Sequence, residues 1–205
     1  MTLVGAGSAL LLCAALAGCA TVAPPAMNTP AASKIERRAA TSIDIAGRLS
    51  VRYQNNGKDE AIHGSFSWSQ RESQTLVTLL SPLGQTLATI DIGPSQATLV
   101  QAGQPARSAA DADTLAAAAL GWPLPVAGLR DWLQGMAIGS DGKHVAATPE
   151  TTAAITTSDG WQLLYPAWDT SVPVNSHPRR IDLARTTEQA GDVTIRIVID
   201  SWQAL

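Results

Sequence analysis

The side chains with the greatest intrinsic reactivity are two cysteines and three histidines in a chain of 205 residues. Cys13 and Cys19 both lie within the first twenty residues. Neither a disulfide framework nor a cysteine zinc cluster therefore serves the body of the chain. His63, His144 and His177 are far apart, and none belongs to an H-x-x-x-H pair. There is no G-x-S-x-G nucleophile turn. Gly142-Lys143 lacks both the earlier glycine and the following Ser or Thr of a phosphate-binding loop. Asp111 and Asp113 stand where a helix begins, and capping and the helix dipole account for them. Only a triad assembled in space is left open, so the expectation is a protein that is not an enzyme and needs no metal or cofactor. Charged residues make up 15% of the chain and the net charge is −3. That is not the basic balance of a nucleic-acid binder.

One cysteine does have a chemical context. Residues 1–18 carry no charge. Their apolar run, 9–17, is shorter than the ~20 residues a spanning helix needs. The run then reaches Leu16-Ala17-Gly18-Cys19, which looks like a bacterial lipobox. Leu16 suits an apolar protease pocket, Ala17 and Gly18 suit a cramped membrane-embedded active site, and Cys19 supplies the thiol for a diacylglycerol. An ordinary secretory signal with an incidental cysteine is the competing reading. Against it stands the uncharged stretch 20–32, ATVAPPAMNTPAA, which has the composition of a tether and starts directly after the cysteine. No Lys or Arg precedes Lys34, so the usual positive leader region is missing. The organisation expected is a lipoprotein signal peptide over 1–18, lipid attachment at Cys19, a flexible tether over 19–32 and a folded domain over 33–205. Each buried CH2 of an acyl chain contributes ~0.8 kcal/mol, and several chains together anchor stably. Ala20 in place of an aspartate permits delivery to the outer membrane.

The folded domain reads as strands interrupted by helices. Ser33 and Glu36 have capping-box spacing, predicting a short helix through about Ala40. Ile43, Ile45, Leu49, Val51 and Tyr53 then share one face, and Asp44, Ala46, Arg48, Ser50 and Arg52 the other, as in a half-buried strand. Asn55-Asn56-Gly57 supplies a turn, and Ile62, Gly64, Phe66 and Trp68 alternate after it. Further strands are predicted over 76–80, 87–92 and 97–101, an antiparallel meander. The period changes at Asp111: a helix capped by Asp113 runs through Leu120. Residues 122–125 are extended, and a second helix covers roughly 126–134, with Val126, Leu129, Trp132, Leu133 and Met136 at helical spacing. Strands return at 160–165, 180–185 and 192–202. The sum is about ten strands interrupted by one helical pair.

Three features invite a function. Ser81-Pro82-Leu83-Gly84 is a turn whose leucine either folds back on the core or protrudes to touch membrane or ligand. Six tryptophans, among them Trp68 and Trp132, either fill a core poor in Phe or line a cavity for an apolar ligand. Arg179-Arg180 either guards a solvated edge or meets phospholipid headgroups.

Taken in order, these segments resemble the outer-membrane lipoprotein receptor of the bacterial lipoprotein-localisation pathway, the LolB family. The matching pieces are the Cys19 lipobox, Gly47-Arg48-Leu49-Ser50-Val51, Phe66-Ser67-Trp68 and Ser81-Pro82-Leu83-Gly84. Gly121-Trp122-Pro123-Leu124-Pro125-Val126, Gly128-Leu129-Arg130-Asp131-Trp132-Leu133, Gly160-Trp161-Gln162, Pro178-Arg179-Arg180-Ile181 and Val198-Ile199-Asp200-Ser201-Trp202 follow. The resemblance implies a mainly β fold, an unclosed antiparallel β-barrel around a hydrophobic cavity covered by inserted helices. It also implies a monomeric lipoprotein, anchored at the periplasmic face of the outer membrane. Such a receptor accepts acylated lipoproteins from a periplasmic carrier and inserts them among outer-membrane phospholipids. Leu83 matches the family's protruding loop leucine, which serves the insertion step. Alternation and amphipathicity offer Trp68, Leu129, Trp132 and Leu133 as the acyl-chain cavity. The competing readings are a structural or scaffold outer-membrane lipoprotein without ligand, and a lipoprotein hydrolase.

Overall fold

The computed structural model describes residues 39–120, 124–172 and 176–205. Cys19, the tether, most of the helix expected from Ser33, and Gly121-Trp122-Pro123 lie outside the described residues. Strands β1 (Ile43–Asn55), β2 (Lys58–Gln70), β3 (Thr75–Leu80), β4 (Thr86–Ile92), β5 (Ala97–Gln101) and β6 (Arg107–Ala109) form a first meander. Helices α1 (Ala112–Leu120) and α2 (Val126–Trp132) follow, then a small hairpin of β7 (Met136–Ile138) and β8 (His144–Ala146). A second meander, β9 (Ile155–Thr156), β10 (Gln162–Asp169), β11 (His177–Thr187) and β12 (Gly191–Ala204), completes the chain.

The two meanders join through their first and last strands. The sheet has ten strands in the order β6-β5-β4-β3-β2-β1-β12-β11-β10-β9, every pair of them antiparallel. Edge strands β6 and β9 are not paired with each other, so the barrel stays open. The main alternating runs became strands because one face of each is buried. Ile43, Ile45, Phe66, Trp68, Val77, Ile181, Leu183, Val193, Ile195, Ile197 and Ile199 share one continuous core.

Two local devices set the register near the centre. The β1–β2 pair runs unbroken from Ile43↔Gln70 to Asn55↔Lys58 and closes over Asn56 and Gly57, with φ of 51° and 74°. Positive φ at both positions is what a two-residue hairpin turn requires. On the other side of β1, the pairing steps from Ala46↔Ser201 to Gly47↔Ile199. Asp200 is thus an extra residue, and beyond it Trp202 faces the side Ile45 faces. At this bulge a Cβ on Gly47 would stand 2.1 Å from the Val198 carbonyl oxygen, so only glycine lets the strands approach.

The helical region differs from expectation in one detail. Asp111, not Asp113, caps α1, its Oδ1 accepting the Thr114 N–H at 2.7 Å. The second helix ends where expected: Gly135, at φ 77°, turns the chain, and Met136 opens β7. The short strands β6 to β9 also went unpredicted, because two or three residues cannot display a period.

Candidate functional site

The concave face of the sheet and the helical pair enclose a pocket of about 140 Å3. Strands contribute Leu49, Val51, Ile62, Phe66, Trp68, Val77, Leu79, Ile90, Ile195 and Ile197 to its walls. Leu120, Leu124, Val126, Leu129 and Leu133 close it from the helical side. Each strand residue is there by alternation, every second side chain pointing to the concave face. On α2, Val126, Leu129 and Leu133 recur at intervals of three and four and so form one stripe. No lining residue is titratable, so the wall offers a guest dispersion and apolar burial but no general acid, base or ligand atom.

Of the four side chains expected to line a cavity, Trp68, Leu129 and Leu133 do. Trp132 does not. It is directed into the core, where its ring lies 6.4 Å from that of Trp161. Its indole also folds back along α2, and a Cβ at Gly128 would stand 2.6 Å from it, which explains the glycine one turn earlier. The remaining described tryptophans also fill space: Trp168 tilts against Tyr165 and Trp202 stacks on His177. Apart from Trp68, sequence reasoning missed the strand side of the pocket, although Leu49, Val51 and Ile62 belong to alternations already visible there.

The α2 helix is fixed to the frame by polar contacts around the pocket. Pro125 offers it no side-chain cap. Asp113 Oδ1 instead accepts the Ala127 N–H at 2.8 Å, tying the start of α2 to α1. Arg130 donates to the backbone carbonyl oxygens of Arg71 and Glu72 in the β2–β3 turn. Buried Gln134 brackets the backbone of one residue: its Oε1 accepts the Ala40 N–H at 2.7 Å, while its Nε2 donates to the Ala40 carbonyl oxygen. Gln70, buried on β2, donates to that same carbonyl oxygen and accepts the Trp68 Nε1–H. The pocket wall, α2 and the entry of the chain into the domain thus share one network.

Leu83 stands at the tip of the β3–β4 turn and is 88% exposed, so it does not fold back on the core. The turn holds it out. Gly84 adopts φ 80° and donates to the Ser81 carbonyl oxygen, while Ser81 Oγ accepts the N–H groups of Leu83 and Gln85. A three-residue loop ending in a left-handed glycine is a standard hairpin closure. Ser65 pairs with Leu80, so the turn lies beside His63 and Gly64 of β2, level with the 38% exposed pocket residue Ile62. Leu83 and this rim of the pocket therefore occupy the same end of the sheet.

Charge lies elsewhere, on the outer face. Burial pushes the Asp182 carboxyl up, but hydrogen bonds from Arg180 and Arg196 outweigh it and hold the group below the usual carboxylate range. Arg48 does the same for Asp200, and Arg71 for Asp44. Arg179 and Arg180 face Asp169 and Asp182 respectively, as solvated ion pairs. Among the described residues there is no cluster of three or more His, Cys, Asp or Glu able to hold a metal ion. No described helix is long and apolar enough to cross a membrane.

Comparison with known proteins adds a second line of evidence. The family model described as outer membrane lipoprotein LolB matches residues 41–202. An outer-membrane lipoprotein LolB of Cupriavidus necator is 41% identical over 90% of this chain and 89% of its own length. A LolB of Thiobacillus denitrificans is 37% identical over 93% and 92%. Among solved structures, a LolA superfamily protein from Nitrosomonas europaea aligns with 82% of this chain and 88% of its own, at 8% identity and a TM-score of 0.46.

Proposed function

Because the chain belongs to the outer membrane lipoprotein LolB family, we propose that its pocket receives the acyl chains of lipoproteins delivered by a periplasmic carrier, and that the chains leave into the outer membrane past Leu83. The observation that carries this reading is a pocket walled only by apolar side chains, with the exposed Leu83 at the same end of the sheet as its rim. Cys19 is the lipid anchor, preceded by a signal peptide over 1–18 and followed by a tether over 19–32. The protein acts as a monomer and makes or breaks no covalent bond.

The physical logic is a downhill handover. An acyl chain gains about 25 cal/mol per Å2 of apolar surface it removes from water. Transfer therefore runs from the carrier to this pocket to the bilayer if each contacts more of the chain than the last. The pocket volume of about 140 Å3 is near that of an engineered ~150 Å3 cavity which holds benzene. It is below the ~300–1,000 Å3 of pockets that enclose whole ligands. The state described is thus a resting one, and loading requires the helical lid to give way. The lid has α1 as well as α2, and the Asp113–Ala127 hydrogen bond latches the two together.

A photo-reactive residue in place of Leu129 tests the proposal. With a carrier loaded with a triacylated lipoprotein, it should crosslink to the client's acyl moiety. The same residue at Arg196, on the outer face, should not. Absence of crosslinking at Leu129 while the protein remains folded would favour a scaffold lipoprotein without ligand.

A further inference from the structure

The outer flank of the pocket rim is unexpectedly apolar. Leu79 faces the pocket, so Leu80 faces out. The β3–β4 register slips between Leu79↔Ala88 and Leu80↔Thr86, leaving Leu87 as an extra residue. A bulge of this kind sets both Thr86 and Leu87 opposite Leu80. On β5, Leu99 is buried and Val100 faces out, one diagonal step from Leu87 because Thr89 pairs with Val100. Leu87 is 44% and Val100 50% exposed. Farther from the turn the same face turns polar: Asp91, Ser69 and Thr98 surround the outward Leu76.

We propose that Leu80, Leu87 and Val100 form a second bilayer contact behind Leu83, seating the outer flank of the rim rather than its mouth on the membrane. This rests on the reading of Cys19 and Leu83 given above. Two observations favour a bilayer as the occupant. The apolar flank is continuous with the turn that carries Leu83, and it fades into polar residues within a few rungs, as suits shallow insertion. The length of chain also permits it. Ala40 adjoins the Ile43–Gln70 end of the β1–β2 pair, whereas Leu83 lies seven rungs along, roughly 25 Å away at ~3.3–3.4 Å per residue. The 20 residues between Cys19 and Ala40 span at most about 70 Å when extended. A domain rooted at its far end can therefore tip its Leu83 end onto the membrane that holds Cys19. Seated on its flank, it leaves the pocket mouth open to an incoming carrier.

The test uses the full acylated protein in vesicles of phosphatidylethanolamine and phosphatidylglycerol. Single cysteines replacing Leu83, Val100 or Thr194 carry an environment-sensitive fluorophore, and the lipids carry spin-label quenchers at shallow depth. Labels at 83 and 100 should be quenched and the label at 194, on the outer face of β12, should not. Quenching at 83 alone overturns the flank contact and leaves the Leu83 reading standing. Quenching at neither site overturns both. Quenching at all three marks adsorption of the whole outer face, and shielding at 100 only on adding carrier marks a protein partner. Either of these also overturns the proposal. The paired substitutions Leu87→Ser and Val100→Ser should slow client delivery to vesicles by about tenfold without changing acceptance from the carrier.

Discussion

The latch between the helices offers a quantitative test of the lid. Asp113 Oδ1 accepts the Ala127 N–H at 2.8 Å and is the cap α2 otherwise lacks. Removing an exposed helix cap of this kind costs about 1 kcal/mol. If that bond exists only in the closed lid, Asp113→Ala raises the open-to-closed ratio about fivefold, since 1.4 kcal/mol is tenfold. While the open state is a minor one, the apparent affinity for an acyl-like guest rises by the same factor. Titration with N-phenyl-1-naphthylamine, whose fluorescence rises in apolar surroundings, reads that affinity. Thermal unfolding should register the lost cap as a fall of roughly 2–4 °C, the scale for a domain of this size. Asp113→Asn keeps an acceptor oxygen and should fall between wild type and alanine. A lower melting temperature with unchanged affinity would refute the latch, because the bond would then stabilise both lid states equally. A lower affinity would refute the premise that opening limits loading.

Four further outcomes are expected. Leu83→Glu should leave melting and acceptance from the carrier unchanged, since the side chain is 88% exposed, but should slow release into vesicles by tenfold or more; release at the wild-type rate would remove the turn from the mechanism. Gly47→Ala should lower stability by about 2 kcal/mol or more, because its Cβ would meet the Val198 carbonyl oxygen at 2.1 Å; a chemical melt indistinguishable from wild type would show that the strands can part there. Binding of the same naphthylamine should be flat between pH 5 and 8, as the pocket wall has no titratable group. Asp44, Asp182 and Asp200 have lowered folded-state pKa values. Their contribution is therefore present above the unfolded carboxylate range near pH ~4 and is lost as pH falls below it. Acid titration of unfolding should show stability declining only in that direction.

Much of the fold could be read from residue order because a half-buried strand writes its own period. Ile43, Ile45, Leu49 and Val51 on β1 and Val193, Ile195, Ile197 and Ile199 on β12 declare their buried faces directly. What alternation could not reveal is which strands meet. The pocket depends on β4 and β12 curling toward the same helices, so Ile90 and Ile197, far apart in sequence, share a wall. Trp132 was misread because α2 is apolar on two sides: Leu129 and Leu133 face the pocket, while Trp132 turns toward Trp161. Asp113 looked like the cap of its own helix because Asp111-x-x-Thr114 and Asp113 compete for that role within three residues. Only the position of Ala127, brought close by the fold, shows that Asp113 caps the next helix. The two open readings of Leu83 turned on Ser81, whose hydroxyl holds the tip of the turn away from the core.

The most direct measurement of the central claim is methyl NMR of the full protein titrated with a synthetic triacylated lipopeptide whose chains are isotopically labelled. Intermolecular contacts are predicted from the acyl chains to the methyls of Leu49, Leu79, Ile90, Leu129 and Leu133, saturating at one lipopeptide per protein. Contacts confined to the outer face, or no contacts at saturating lipopeptide, would contradict the account and leave the apolar pocket as core packing alone.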